Sequence, residues 1–338
     1  MAEAIREISG MHAGSLDGEI LASTEPIVLR GLVAAWPLVN LARARQAGDR
    51  RAAAAYLLRF YRGAPVVALL GAPEIAGRYF YNDDLTGFNF SSLRATLAKV
   101  LEELDDHRDD AAPPAIYVGS TMIDQCLPGF QAENTLDLGG RDALASIWIG
   151  NRSRIAAHYD LPDNLACVAA GRRRFTLFPP DQLANLYVGP LDFTPAGQPI
   201  SLVDLHQPDL KAHPGFSEAL RHAQVAELGP GDALFIPSMW WHHVEALDSF
   251  NILVNYWWRQ SPGYMDTPTN TLLHALLSMR ELPPEQRAAW RELFRHYVFD
   301  SDGSEAAHIP PGARGVLAPF DADAARRLRV QLLNKMNR

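Results

Sequence analysis

The chain has 338 residues, of which 48% are hydrophobic and 21% charged, ample material for a sizeable core with an appended segment. Its net charge of -8 argues against broad nucleic-acid binding through a basic surface. Only two cysteines, Cys126 and Cys167, occur, which excludes a disulfide framework. The start carries no apolar h-region and no run is long enough to span a bilayer, so a reducing cytoplasm and no membrane contact are expected.

In chain order, Glu25 to Gly31 predicts a short strand and Trp36-Pro37 a turn. Ala44 to Phe60, with Tyr56, Leu57 and Phe60 at helical spacing, predicts one amphipathic helix. Pro65 to Leu70 predicts a strand, and a helix from about Ser92 to Leu104 is expected to start at a serine cap. The aromatics of Arg78 to Asp83 and Phe88 to Phe90 are assigned to core packing. The charged, proline-ended stretch from Asp105 to Pro114 reads as a solvated loop, and Ala115 to Ser120 as a strand entering the core.

The chemistry begins at His158-Tyr159-Asp160, which closes the apolar run from Ile147 to Ala157. Residues i and i+2 of a strand project to one face, so imidazole and carboxylate can converge on one point. A further histidine lies in the aromatic run Ala233 to Val244, in the sequence Trp240-Trp241-His242-His243. Two histidines and a carboxylate form the facial triad of non-heme Fe(II) oxygenases, which leaves coordination positions open. Between these segments, Leu165 to Ala170, Gly171 and Arg172 to Pro180 read as strand, turn and strand, and Leu228 to Asp232 as a second tight turn. The pattern is mainly β with flanking helices: a double-stranded β-helix of the jelly-roll or cupin type.

From about Ile147 to Trp258 the chain resembles the JmjC-type, cupin-like Fe(II)/2-oxoglutarate-dependent oxygenases, near the asparaginyl hydroxylase that acts on hypoxia-inducible factor. The resemblance is carried by His-Tyr-Asp, Asn164, the run Gly171 to Gln182, Gly229-Pro-Gly-Asp232, Ile236-Pro237, Trp240 to His243 and Asn255-Tyr256-Trp257, in the family's order. It implies that His158, Asp160 and His242 hold Fe(II), with 2-oxoglutarate as cosubstrate and O2 as oxidant. His243 must point the other way from His242 along a strand; the resemblance favours His242, the first histidine after Trp-Trp. Asn164, Asn255 and Trp257 fall at positions that line the cosubstrate pocket. Tyr117 falls where a tyrosine hydroxyl contacts the 2-oxoglutarate carboxylate, and the residues alone fit packing in a half-buried strand equally well.

Two departures stand out. Arg173 occupies the position of a lysine in close relatives, and Ile155 that of a threonine that helps bind the same carboxylate. A guanidinium can take a carboxylate bidentately, and Arg173 faces inward if Phe175 and Leu177 are core residues; the other reading is a solvated basic triplet. Asp181 to Phe216 reads as a long loop, which in related enzymes lies beside the active site and helps choose the substrate. His206, His213 and His222, in or near it, are assigned to the surface because nothing pairs them at ligand spacing.

After Trp258, apolar residues at helical spacing predict helices over Thr269 to Arg280, Pro284 to Tyr297 and Asp321 to Asn337. The expected organisation is residues 1–114 as a mixed region packed on the core, 115–260 as the barrel, and 261–338 as a helical tail. A homodimer held partly by Thr269 to Tyr297 is expected. The functional expectation is an Fe(II)/2-oxoglutarate-dependent oxygenase, foremost a hydroxylase of a protein side chain, with lysine demethylation, RNA-base hydroxylation or a small-molecule substrate as variants. The retained Asp160 argues against a halogenase. Set against this are a non-redox metal cupin, such as an isomerase or hydrolase, and a cupin-fold binding protein without turnover.

Overall fold

The computed structural model describes residues 3–14, 16–46 and 51–337, in two compact units, Met1–Gln260 and Ser261–Arg338. The first unit opens with strands β1 (Glu3–Ala4), β2 (Arg6–Ser9) and β3 (Ile27–Arg30), followed by helices α1 (Pro37–Gln46) and α2 (Ala52–Phe60). Strands β4 (Val66–Gly71), β5 (Arg78–Tyr79) and β6 (Phe90–Ala95) lead into helix α3 (Leu97–Asp106). Strand β7 (Ala115–Met122) and the short helices α4 (Ile123–Cys126) and α5 (Phe130–Glu133) come next. Strands β8 (Leu144–Gly150), β9 (Ser153–Tyr159), β10 (Asp163–Ala170) and β11 (Arg173–Phe178) follow. Helix α6 (Phe216–Arg221) then precedes β12 (Gln224–Leu228), β13 (Ala233–Ile236), β14 (Trp241–Ala246) and β15 (Asn251–Trp258).

The strands form two sheets, one in the order β1-β12-β11-β14-β9-β5 and one in the order β2-β3-β13-β10-β15-β8-β7-β4-β6. Between them packs a core of alternate side chains: Phe175, Leu177 and Val244 from the smaller sheet meet Ala166, Val168, Leu234, Ile236 and Leu253 from the larger. The other face of β10 sends Leu165, Cys167 and Ala169 into a second core with Leu38, Leu57, Val100 and Leu104 of helices α1 to α3. A strand buried on both faces reads as an apolar run rather than an alternation, and β10, buried along its whole length, does so from Leu165 to Ala170. The jelly-roll architecture read from the hairpins is the one observed.

Two element boundaries differ from the sequence reading. The helix expected from Ala44 to Phe60 is two helices, α1 ending at Gln46 and α2 starting at Ala52; the middle of the expected helix, residues 47–50, lies outside the described residues. Ser91 and Ser92, expected at a helix start, are in β6, paired with β4. The cap is Thr96, whose hydroxyl accepts the Lys99 backbone N–H at 3.2 Å. Strand pairing with β4 held the chain extended for one turn longer than local propensity suggested.

The loop expected over Asp181 to Phe216 has structure of its own. Ser201 N–H donates to the Ala157 carbonyl at 2.7 Å and Ile200 bridges His158, so the insert runs beside β9 as a short added strand. The Ser201 hydroxyl, fully buried, donates to the Leu186 carbonyl at 2.6 Å. Polar burial is tolerated only when partnered, and this bond fixes the insert's two limbs to each other.

The second unit consists of α7 (Pro268–Met279), α8 (Pro284–Phe294), whose end continues as a wider turn over Arg295–Phe299, and α9 (Ala322–Met336). Asp321 caps α9 by accepting the Ala324 N–H at 2.7 Å. No helix among the described residues is long and apolar enough to cross a membrane.

The turn between β10 and β11 depends on a backbone that only glycine adopts freely. Gly171 has φ +71°, and a Cβ there would stand 2.1 Å from Asn251 Oδ1 and 2.6 Å from the Phe250 carbonyl. Gly171→Ala is therefore expected to cost on the order of 1–3 kcal/mol, read as a lower urea midpoint with an unchanged slope.

Candidate metal centre and its cavity

Antiparallel pairing of β14 with β9 sets Trp241 opposite Tyr159 and His242 opposite His158. The register then shifts, so that Val244 pairs with Ile155. One extra residue in β9 thus absorbs a phase change, and a bulge of this kind re-aims the side chains beyond it. His158 and Ile155, three apart, consequently both line the cavity between the sheets, as do His242 and Val244.

Asp160 follows the end of β9. Its carboxylate and the two imidazoles place one ligand atom each within 4.8 Å of one another, the one such group of metal-binding residue types among the described residues. His242 Nε2 lies 3.6 Å from Asp160 Oδ2, and the two rings are 4.3 Å apart. Each imidazole is oriented in the same way: His158 Nδ1 is 2.9 Å from the Ala156 carbonyl and His242 Nδ1 is 2.9 Å from the Trp240 carbonyl. A carbonyl can only accept, so Nδ1 carries the proton and the Nε2 lone pair is left for a metal. Burial, reinforced by the neighbouring His242, lowers the pKa of His158 to about 4, which keeps its lone pair available at neutral pH.

The carboxylate is held as firmly. Asp160 Oδ2 accepts from Asn164 Nδ2 at 2.9 Å and from Trp257 Nε1 at 3.1 Å. Asn255 Nδ2 in turn donates to Asn164 Oδ1 at 2.6 Å. These residues meet because β10 and β15 pair Asn164 with Trp257 and Ala166 with Asn255. Asn164, Asn255 and Trp257, assigned from the resemblance to the cosubstrate pocket, do line the cavity, and their hydrogen bonds run to the metal-site carboxylate. The sequence reading missed this relay, although the Asn255-x-Trp257 spacing puts both on one strand face. It also missed the clamp between the two ligand-bearing turns. Met239 N–H donates to the Asp160 carbonyl at 2.9 Å and Ser238 N–H to Asp163 Oδ1 at 2.9 Å, with Met239 held at φ +68°.

His243 points away from the cavity. It is 5% exposed, faces Arg154 and Asp204 on the outer side of the sheet, and burial pushes its pKa down to about 3. The histidines of the insert do not join the site: His206 pairs with Glu245, His213 packs on Tyr187 at 4.7 Å, and His222 pairs with Glu218 at 2.9 Å.

At the far side of the same cavity lies Arg173, 1% exposed, on the strand that carries Phe175 inward beside it. Its neighbours in the triplet face out, Arg172 to Asp248 and Glu227, Arg174 to Glu227 and Glu245. Among the described residues no carboxylate pairs with Arg173, and its Nε has no hydrogen-bond partner. Burial pulls its pKa down to about 10, still charged at neutral pH. Tyr117, buried and stacked on Trp148 at 5.8 Å, lines the cavity with it, and burial pushes its hydroxyl well above the usual tyrosine range. Ile155 presents only carbon here. The cavity has a volume of about 360 Å³.

The two-sheet barrel thus encloses a His-x-Asp…His cluster that could hold a metal ion and, among the described residues, a buried arginine that no carboxylate pairs. Residues 14–264 match the cupin-like domain family, and the chain belongs to this JmjC-type family, among the 2-oxoglutarate oxygenases. It is 35% identical over 133 residues to the lysine-specific demethylase JMJ31 of Arabidopsis thaliana, covering 37% of this chain and 24% of that one. Identity to the tRNA wybutosine-synthesizing protein 5 of Danio rerio is 33% over 145 residues, 38% of this chain and 41% of the relative. To the human HSPB1-associated protein 1 it is 32% over 170 residues, 48% and 34% respectively. The matched stretches thus span less than half of these relatives.

Removing a ligand should abolish tight metal binding: in Mn(II) titrations, His158→Ala, Asp160→Ala and His242→Ala are each expected to show no saturable site. Asn164→Ala and Trp257→Phe, which free the carboxylate to rotate, should weaken binding by about 10–100-fold. His243→Ala should leave the metal affinity close to that of the parent chain; a loss equal to that of His242→Ala would reassign the ligand.

Proposed function

We propose that the chain is an Fe(II)/2-oxoglutarate-dependent oxygenase that hydroxylates a side chain of a protein substrate. One observation carries this reading: a fully buried guanidinium with no counter-charge among the described residues shares one cavity with an open two-histidine, one-carboxylate cluster. The donor set of two imidazoles and a carboxylate suits Fe(II) and leaves positions for further ligands. A dicarboxylate with a 2-oxo group satisfies both ends of such a cavity.

The chain's own groups do the positioning. His158, His242 and Asp160 would hold the metal on one face, and the bonds from Asn164 and Trp257 fix the carboxylate so that it does not swing. Arg173 would take the distal carboxylate of 2-oxoglutarate through charge-assisted bonds, with the Tyr117 hydroxyl as a neighbouring donor. Ile155 and Val244 make the wall between the two ends apolar, which excludes water and strengthens every charge contact within. When bound, Fe(II) supplies the redox chemistry that activates O2. In the overall reaction a substrate C–H becomes C–OH with one oxygen atom of O2, the other enters succinate, and 2-oxoglutarate loses CO2.

For the second unit we propose the homodimer. Leu277 is 82% and Phe299 76% exposed, and apolar side chains in such number usually find a partner. Light scattering at micromolar concentration should give twice the chain mass.

Succinate should form from 2-oxoglutarate in the presence of Fe(II) and ascorbate; retention of Zn(II) without any 2-oxoglutarate binding would turn the reading to a non-redox cupin. Calorimetry of 2-oxoglutarate with Mn(II) in place of iron tests the anion end. Arg173→Ala should lose about 2–5 kcal/mol, because the ligand's carboxylate is left buried and unpaired. Arg173→Lys should recover part of that, since a point charge replaces a fork. Arg172→Ala and Arg174→Ala, whose side chains face solvent, should bind as the parent does.

A further inference from the structure

We infer that the group this site oxidises is uncharged and no larger than a single side chain or substituent, carried by a larger molecule. The inference rests on the 2-oxoglutarate reading above and adds the substrate class.

Size comes first. Small-molecule pockets run from about 300 to 1,000 Å³, and this cavity, at about 360 Å³, must also hold 2-oxoglutarate. What remains admits a protruding group, not a whole metabolite beside the cosubstrate. Part of the wall of that space is the insert segment Pro195, Ala196, Gly197 and Gln198, seated over the metal-binding strand because Ile200 bridges His158 and Ser201 is bonded to Ala157.

Charge decides the class. Among the described residues that line the cavity, Asp160 and Arg173 are the charged ones, and the reading above commits both. With a divalent cation, neutral imidazoles, one aspartate, one arginine and a doubly negative 2-oxoglutarate, the site sums to zero before any substrate enters. A protonated amine or a quaternary ammonium would add an uncompensated charge in a largely apolar enclosure, which is costly. The carboxylates of the insert do not help: Asp192 and Asp204 are not among the lining residues, and Asp204 already faces Arg78 and Arg154 at 3.6 and 3.7 Å. Nor do the rings form an open cage for a cation. Tyr79 packs on Tyr117 at 5.5 Å, Tyr117 on Trp148 at 5.8 Å, and Trp148 against Trp257 at 5.9 Å.

The uncharged polar groups of the cavity wall point the same way. Tyr79 spends its hydroxyl on the Leu69 carbonyl, and Ser120 donates to Ser146. Gln198 presents an amide, which both donates and accepts but carries no charge.

Blocked single amino acids serve as probes: norleucine, glutamine, lysine and trimethyl-lysine, each acetylated and amidated. With Mn(II) and 2-oxoglutarate bound, paramagnetic broadening of the side-chain terminal protons reports which probes reach the metal, without any turnover. The norleucine or glutamine probe should bind about tenfold or more tightly than either cationic probe. Gln198→Glu, nearly isosteric, places a carboxylate at the cover and should narrow or reverse that order. Equal or tighter binding of lysine or trimethyl-lysine to the parent chain overturns the inference, as does failure of every probe to approach the metal. It is also overturned if Gln198→Glu leaves the order unchanged, because charge would then not be what excludes cations. Failure to bind Mn(II) or 2-oxoglutarate in the same samples is a separate result, and it removes the underlying reading together with this one.

Discussion

The pairing of β9 with β14, with one extra residue in β9, is the constraint on which the site depends. Ladder hydrogen bonds set His158 opposite His242, and without the register shift Ile155 and His158 could not both face the cavity, since alternation sends residues three apart to opposite sides. The bulge therefore reconciles an apolar wall with a ligand on one short strand. Asp160, beyond the strand end, would be loose if only the chain held it. The bonds from Met239 and Ser238 tie its turn to the one before β14, so the segments that carry Asp160 and His242 are joined directly.

Against that rigid end stands a buried charge. Arg173 is as buried as Phe175 beside it, and burying a guanidinium without an anion opposes folding. An anionic ligand that binds only the folded chain offsets the cost and stabilises by mass action. On the proposed function, stability and cosubstrate recognition would be coupled through this one side chain. The outward arginines of the same triplet are paired with Asp248 and Glu227 at the surface, where such pairs contribute little.

The insert between β11 and β12 shows how a strand edge is put to use. An exposed edge beside the metal-binding strand would offer unpaired backbone groups; instead Ile200 and Ser201 occupy it. The cover of the cavity is consequently hydrogen-bonded to the strand that carries His158. A ring stack anchors its outer limb, with Phe193 on Phe88 at 4.6 Å and Phe88 on Phe90 at 5.1 Å. The aromatics of Phe88 to Phe90, read from the sequence as core, thereby hold the cover in place.

The sequence by itself determined the hairpins of the barrel, and that His242 faces away from His243 and Arg173 away from its two neighbours, because alternation is local to a strand; which member faces the cavity depends on register, and the structure decided it. The His158-x-Asp160 spacing was legible too, although Asp160 lies just past the strand and is directed by its turn. What only the tertiary structure decided is what lies across from them. The bulge in β9, the relay from Asn255 through Asn164 to Asp160, and the docking of Ile200 on His158 each join residues far apart in the chain. Local propensity erred in the same direction at Ser92, where pairing with β4 outweighed an early helix start. Non-local hydrogen bonds leave no periodic trace in a sequence, so the site's residues could be read from the chain while the bonds that orient them could not.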